Sequence, residues 1–173
     1  MRRLTGTETV DDLDDYLATV DTVASETGCT VQVFDARYVV DETHLRRALR
    51  LADRAFDRGE NVARDRGVEI LLYAAGRRQI DRALEMGVSE GTTPVVALVT
   101  ADETVGDDRD RDTRERRAVG RLRERPSFEP GTVAPDTDRV RAFFDVTDRE
   151  LAATDGDLAA VVHERVALLD VQK

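Results

Sequence analysis

Residues 69–80 read EILLYAAGRRQI. The first seven are almost unbroken apolar sequence of strand length, and such a run predicts a strand covered on both faces. Gly76 then makes a turn, residues 77–86 follow as a short helix, and Gly87 closes it. Residues 94–100 (PVVALVT) predict a second buried strand. Residues 30–34 (TVQVF) alternate and are β-branched, which predicts a third, and residues 2–5 start a fourth.

Helical periods fill the spaces between these strands. From residue 7 to residue 27, Val10, Leu13, Leu17, Val20 and Val23 recur at helical spacing; Thr7 or Thr9 caps the segment and Gly28 stops it. Asp41 is an N-cap and Gly67 a C′ residue for a second helix, whose apolar stripe runs through Leu45, Ala48, Ala52 and Ala55. Arg46, Arg47, Arg50, Arg54 and Arg58 crowd its other face. Residues 102–117 are nearly pure charge and predict a solvated loop running into a helix at 113–125. Three of the four prolines mark a loop at 126–138, and helices at 139–144, 148–153 and 157–171 finish the chain. The fold class is therefore α/β, with α+β as the alternative: a small central mixed sheet of about four strands flanked by helices, and an all-helical C-terminal third. A chain of 173 residues is expected to form one domain over 1–173.

Composition narrows the setting. The 36 acids outweigh 26 cations for a net charge of −10, and every cation except Lys173 is an arginine. Such an aspartate-rich, lysine-poor surface resembles that of an extreme halophile, where hydrated carboxylates and net charge resist association. In molar salt the Debye length is only about 3 Å, so global acidity speaks of solvent and says little about partners. The single Cys29 allows no intrachain disulfide. No apolar run is long enough for a membrane span, and the opening MRRLTGTETV lacks the apolar core of a leader, so a soluble cytoplasmic protein is expected.

Catalytic signals are sparse. Neither GxGxxG nor GxxxxGK[ST] occurs, which speaks against dinucleotide and P-loop chemistry. The lysine count removes Schiff-base mechanisms, and the two histidines, His44 and His163, bring no visible third ligand, so neither metal nor cofactor is expected. The segment that stands out is again residues 76–80. A glycine turn opening a helix exposes free amides, and Arg77 and Arg78 add forked donors suited to a phosphate or a base edge. The plainer alternative is a strand–turn–helix junction whose arginines pair with nearby acids.

These motifs resemble a known family. FDAR at 34–37, DETHLRRAL at 41–49 and the GRRQI element at 76–80 are similar to those of the small TPRKB-type subunit of the KEOPS complex. The likeness is good over residues 30–100, extends to ERVALLDV at 164–171, and is one of general layout elsewhere. It implies a non-catalytic subunit of the complex that installs threonylcarbamoyl on tRNA adenosine. The family's small subunit binds the kinase-like ATPase subunit and, in archaea, the single-stranded 3′ CCA end of tRNA. Gly76, Arg77, Arg78, Gln79 and Ile80 are the positions of the family's motif; Arg46 and Arg50 join them from the arginine-rich helix face. With few aromatics, an RNA end would be held by arginine planes and Ile80 rather than by stacking rings, although Ile80 also fits an inward stripe with Leu84.

The last helix is apolar on two sides. Leu158, Val161, Val162, Arg165, Val166 and Leu169 form one stripe, and Ala160, Ala167, Leu168 and Val171 extend the surface around it. Such a helix must bury both faces, either within its own domain or against a partner. For a kinase-subunit interface the residues would be Leu158, Val161, Val162, Arg165, Leu168 and Leu169. Two alternatives stand beside this reading: a bridging module that touches protein only, and a small α/β enzyme working through carboxylates and Arg78.

Overall fold

The computed structural model describes residues 1–102 and 106–171. Residues 103–105 of the charged loop, the side chain of Val171, and residues 172–173 lie outside the described residues. Along the chain run β1 (Arg2–Val10), α1 (Leu13–Thr27), β2 (Cys29–Asp35), a 3₁₀ turn (Ala36–Tyr38), α2 (Glu42–Arg58) and α3 (Arg66–Ala75). Then come α4 (Ile80–Ala83) with a 3₁₀ turn (Leu84–Met86), β3 (Gly91–Ala101), α5 (Asp108–Arg123) and β4 (Phe128–Pro130). Three helices close the chain: α6 (Thr137–Phe143), α7 (Asp148–Ala153) and α8 (Leu158–Val171). The elements form two compact units, Met1–Asp35 with Val88–Val133 and Ala36–Gly87 with Ala134–Lys173.

The first unit holds the sheet. Its four strands run in the order β2-β3-β1-β4, and every pairing is antiparallel, so the mixed sheet expected from sequence is corrected on direction. One face, with Leu4, Val33, Val95, Ala97 and Val99, packs on Tyr16, Val20 and Val23 of α1 and Ala118 and Leu122 of α5. β1 extends well past residue 5 and absorbs Thr7 and Thr9; the cap of α1 is Asp12, whose Oδ1 accepts from Asp15 N–H at 2.9 Å. The continuing alternation explains this, since Leu4, Gly6, Glu8 and Val10 all point inward. Buried Glu8 is matched by Arg125 and by the Ser127 hydroxyl. Helix α5 begins at Asp108 rather than at 113, because Asp107 caps it through Asp110 N–H and its early aspartates suit the positive end of the helix.

The second unit is helical, and here the leading expectation fails. Residues 69–75 are a helix, α3, and the fourth strand is instead β4 in the proline-rich loop. An apolar run without alternation does not distinguish a doubly covered strand from a helix buried on all sides. The flanks decide it. Asp65 caps the first turn through Val68 N–H at 2.9 Å, and Gly76, at φ 59°, ends the last. Likewise α2 stops at Arg58 against Gly59, at φ 67°, and Gly67 is a buried residue inside α3 rather than the end of α2. Residues 77–79 are not helical; the helix begins at Ile80.

Glu69 shows what a fully buried helix demands. It is 2% exposed, and its Oε2 accepts from Val62 N–H at 3.0 Å and from Ala63 N–H at 2.7 Å. The carboxylate thus satisfies a loop that makes no helical bonds of its own. Glu69→Ala should strand both amides and cost about 2–4 kcal/mol in urea denaturation. Glu69→Gln, which keeps one acceptor oxygen, should cost less.

Candidate functional site

The motif of residues 76–80 sits where α3 ends. Gly76 N–H donates to Tyr73 C=O at 3.0 Å and Arg77 N–H to Leu72 C=O at 3.1 Å, a left-handed helix cap that a Cβ would strain. The turn's first amides are therefore committed to α3, not offered to a ligand. This corrects the expectation that Gly76 opens a helix with free amides; α4, at four residues, is too short to supply them.

The arginines are half-buried and anchored. Arg77 donates through Nη2 to Phe143 C=O and to Asp145 Oδ2 at 3.1 Å, and its guanidinium lies 5.6 Å from the Phe143 ring centroid. Arg78 donates through Nη2 to Leu169 C=O at 3.1 Å, and its buried Nε has no partner among the described residues. Gln79 is exposed and precedes α4 without capping it. Ile80 is 41% and Leu84 55% exposed, so the inward stripe expected for this pair is reversed: Ala83 and Met86 take the interior instead. The crevice between Leu72, Tyr73, Arg77, Arg78 and Leu169 has about 10 Å³ of free space. That is room for roughly one water, not for a base. What the turn offers outward is an amide and an apolar pair.

Arg46 and Arg50 stand on the exposed side of α2. Arg46 pairs with Glu42, its Nε 2.7 Å from Oε1, and Arg50 has no partner among the described residues. Among those residues no hydrogen bond or ion pair joins either to the 76–80 turn.

The six residues named on α8 divide by burial. Val161, Val162 and Leu169 are buried within the helical unit, as is Val166. Leu158 and Leu168 are half-buried. Arg165 is half-buried and bonded to Glu150 and, at 3.4 Å, to Phe144 C=O. Its backbone also backs Gly76, whose added Cβ would lie 3.5 Å from Arg165 C=O. So the structure brings the turn and α8 together through Arg78 and Gly76.

Sequence reasoning missed Asp170 and Tyr73. Asp170 Oδ2 accepts from Arg54 Nη1 at 3.1 Å, and Oδ1 accepts from Tyr73 Oη–H at 3.3 Å. The available signal was an acid in the last turn of an apolar helix, where the dipole disfavours it unless something holds it.

His44 is the other polar group that the packing closes over. It is fully buried, its Nε2 lies 2.8 Å from Ala74 C=O, and its ring meets Phe144 edge-on at 5.8 Å. Burial strips the charged imidazolium of water and holds its pKa down to about 4, against the pull of the Ala74 carbonyl. At Asp41, burial pushes the carboxyl up, but the His44 amide and the His163 ring outweigh it and bring it below its usual value. Among the described residues no three His, Cys, Asp or Glu side chains are grouped to hold a metal ion, and no helix is long and apolar enough to cross a membrane.

The fold is thus a unit built on an antiparallel four-stranded sheet and a helical unit, and in the helical unit the motif turn exposes Gln79 and Ile80. The chain matches the family described as kinase binding protein CGI-121 over residues 9–170, and it belongs to that family. No curated protein matches the chain.

The burial of His44 makes a pH test. Its folded pKa lies below that of the unfolded chain, so its contribution to stability is whole above about pH 6.5 and is lost as the pH falls towards 4. Urea midpoints measured across that window should record a loss on the order of 3 kcal/mol. His44→Gln keeps a donor for Ala74 and cannot titrate, so it should flatten the slope.

Proposed function

We propose that this chain is the small, non-catalytic subunit of a KEOPS-type assembly in a halophile's cytoplasm. In this reading it binds the kinase-like ATPase subunit and the 3′ CCA end of tRNA, supporting threonylcarbamoyladenosine formation by the assembly. Membership of a kinase-binding family supports the protein partner. The observation that carries the RNA partner is the exposed motif turn. Gln79 and Ile80 face solvent beside Arg78, an arrangement that offers an amide, an apolar surface and a guanidinium to an unstacked nucleotide. The net charge of −10 makes diffuse attraction poor, so affinity rests on few contacts and the salt slope is shallow, reflecting about one to three phosphates.

The anchoring of Arg77 and Arg78 to backbone carbonyls favours a second reading, a bridging module that touches protein only. Filter binding separates the two. Intact tRNA should bind more tightly than tRNA lacking CCA, and Ile80→Asp or Arg78→Glu should lower affinity about 10- to 100-fold. Ile80 is exposed, so its variant leaves the fold alone. If removing CCA and both variants change nothing, the bridging reading stands.

Leu168 is the position for testing the kinase contact. Val161, Val162 and Leu169 are interior, so a charge there reports on folding. Leu168→Glu should abolish co-elution with the kinase-like subunit in size exclusion while leaving the circular dichroism spectrum unchanged.

A further inference from the structure

We infer that Asp170 is a positioning residue for the RNA-binding turn, holding the end of α8 so that Arg78 is aimed. The inference rests on the proposed RNA role of residues 76–80.

The chain of contacts has three links. Asp170 lies in the last turn of α8, the negative end of the helix dipole, where a carboxylate is disfavoured by its own helix. It stays there because it accepts from Arg54 of α2 at 3.1 Å and from Tyr73 of α3 at 3.3 Å; its side chain is 12% exposed. That clamp fixes the neighbouring Leu169 C=O, which accepts from Arg78 Nη2 at 3.1 Å.

Arg78 depends on that carbonyl more than an ordinary surface arginine would. Its Nε is buried without a partner among the described residues, so the guanidinium is oriented by packing and by the Leu169 bond. Nη1 has no partner among the described residues, and its N–H groups are donors left for a phosphate or a base edge. Leu169 itself is 8% exposed and cannot follow a moving arginine. Remove the clamp and the last turn frays, as helix ends do when nothing holds them. The carbonyl then drifts, and Arg78 no longer makes its contact in part of the bound population, which weakens binding and lowers the number of phosphates neutralised. Asp170 does this without touching the ligand.

Filter binding of the full chain to CCA-ended tRNA, over a series of salt concentrations, tests the inference with a double-mutant cycle. Asp170→Ala should weaken binding about three- to tenfold, and Arg78→Ala should weaken it more. Combined, they should bind no worse than Arg78→Ala alone, because Asp170 acts only through Arg78. Asp170→Ala should also reduce the salt slope as Arg78→Ala does, a readout that a general loss of stability would not move. Tyr73→Phe removes one hydroxyl from the clamp and should give a smaller loss of the same kind. It takes the place of Asp170→Ala in the cycle should that variant fail to fold. Wild-type affinity for Asp170→Ala, or losses that simply add in the double variant, overturn the positioning role while leaving the site in place. Unchanged binding by Arg78→Ala overturns the site itself, and the positioning role with it.

Discussion

A helix buried on every side must have each polar group at its ends answered from within the fold, and α3 imposes that constraint on the whole helical unit. At its start Asp65 answers Val68, and Glu69 answers the amides of Val62 and Ala63. At its end the carbonyl of Leu72 takes Arg77 N–H, that of Tyr73 takes Gly76 N–H, and that of Ala74 takes the His44 ring. His44 is therefore buried and neutral for a reason outside its own helix. Gly76 is a glycine because this closure needs a positive φ. The motif turn begins as the termination of α3, and its position follows from that helix.

Arginine completes the same accounting further out. Arg77 donates to Phe143 C=O, Arg78 to Leu169 C=O, Arg47 to His163 C=O and Arg165 to Phe144 C=O. A guanidinium suits this work because its donors are several and fixed, and it is less strongly hydrated than an ammonium. In a chain whose other cation is Lys173, the side chain expected to meet anions is also the one that ties helix ends together. The consequence for binding is concrete. On the proposed reading, a ligand at residues 76–80 would first meet the exposed Gln79 and Ile80, and would engage Arg78 through a donor not already used within the fold.

Local signals made much of this legible, and long reach hid the rest. Asp41 before a periodic stripe, and β-branched runs at 30–34 and 94–100, identify α2, β2 and β3 because each pattern has one physical solution. Residues 69–75 have two, since uniform burial erases the difference between periods of 2 and 3.6. The glycine at 59 was the true stop of α2, but inside an apolar stripe it reads as one more small residue. The turn at 76–80 was visible as a motif. The inward turn of its arginines was not, because their acceptors at 143, 145 and 169 lie 66 to 91 positions along the chain. Ile80 and Leu84 share a helix face on paper; which face the unit buries is decided by Ala83 and Met86, small and flexible residues that fit the interior.

Helix α8 shows how a few polar bonds decide what an apolar surface presents. Apolar contact is non-directional, so a helix that is apolar all round gains nearly as much burial in one rotation about its axis as in another. Polar bonds break that degeneracy. His163 Nε2 lies 3.0 Å from Asp41 Oδ1, Arg47 grips His163 C=O at 2.9 Å, and Arg54 grips Asp170. Successive helical residues are about 100° apart, so a slip of one residue breaks all three bonds together. With the rotation set, Val162 and Val166 are sealed inside and Leu158 and Leu168 stay at the edge. On the proposed reading, the face offered to a partner is thus set by residues outside it, and replacing Asp41, Arg54 or Asp170 by a neutral residue would alter that face without altering any residue on it.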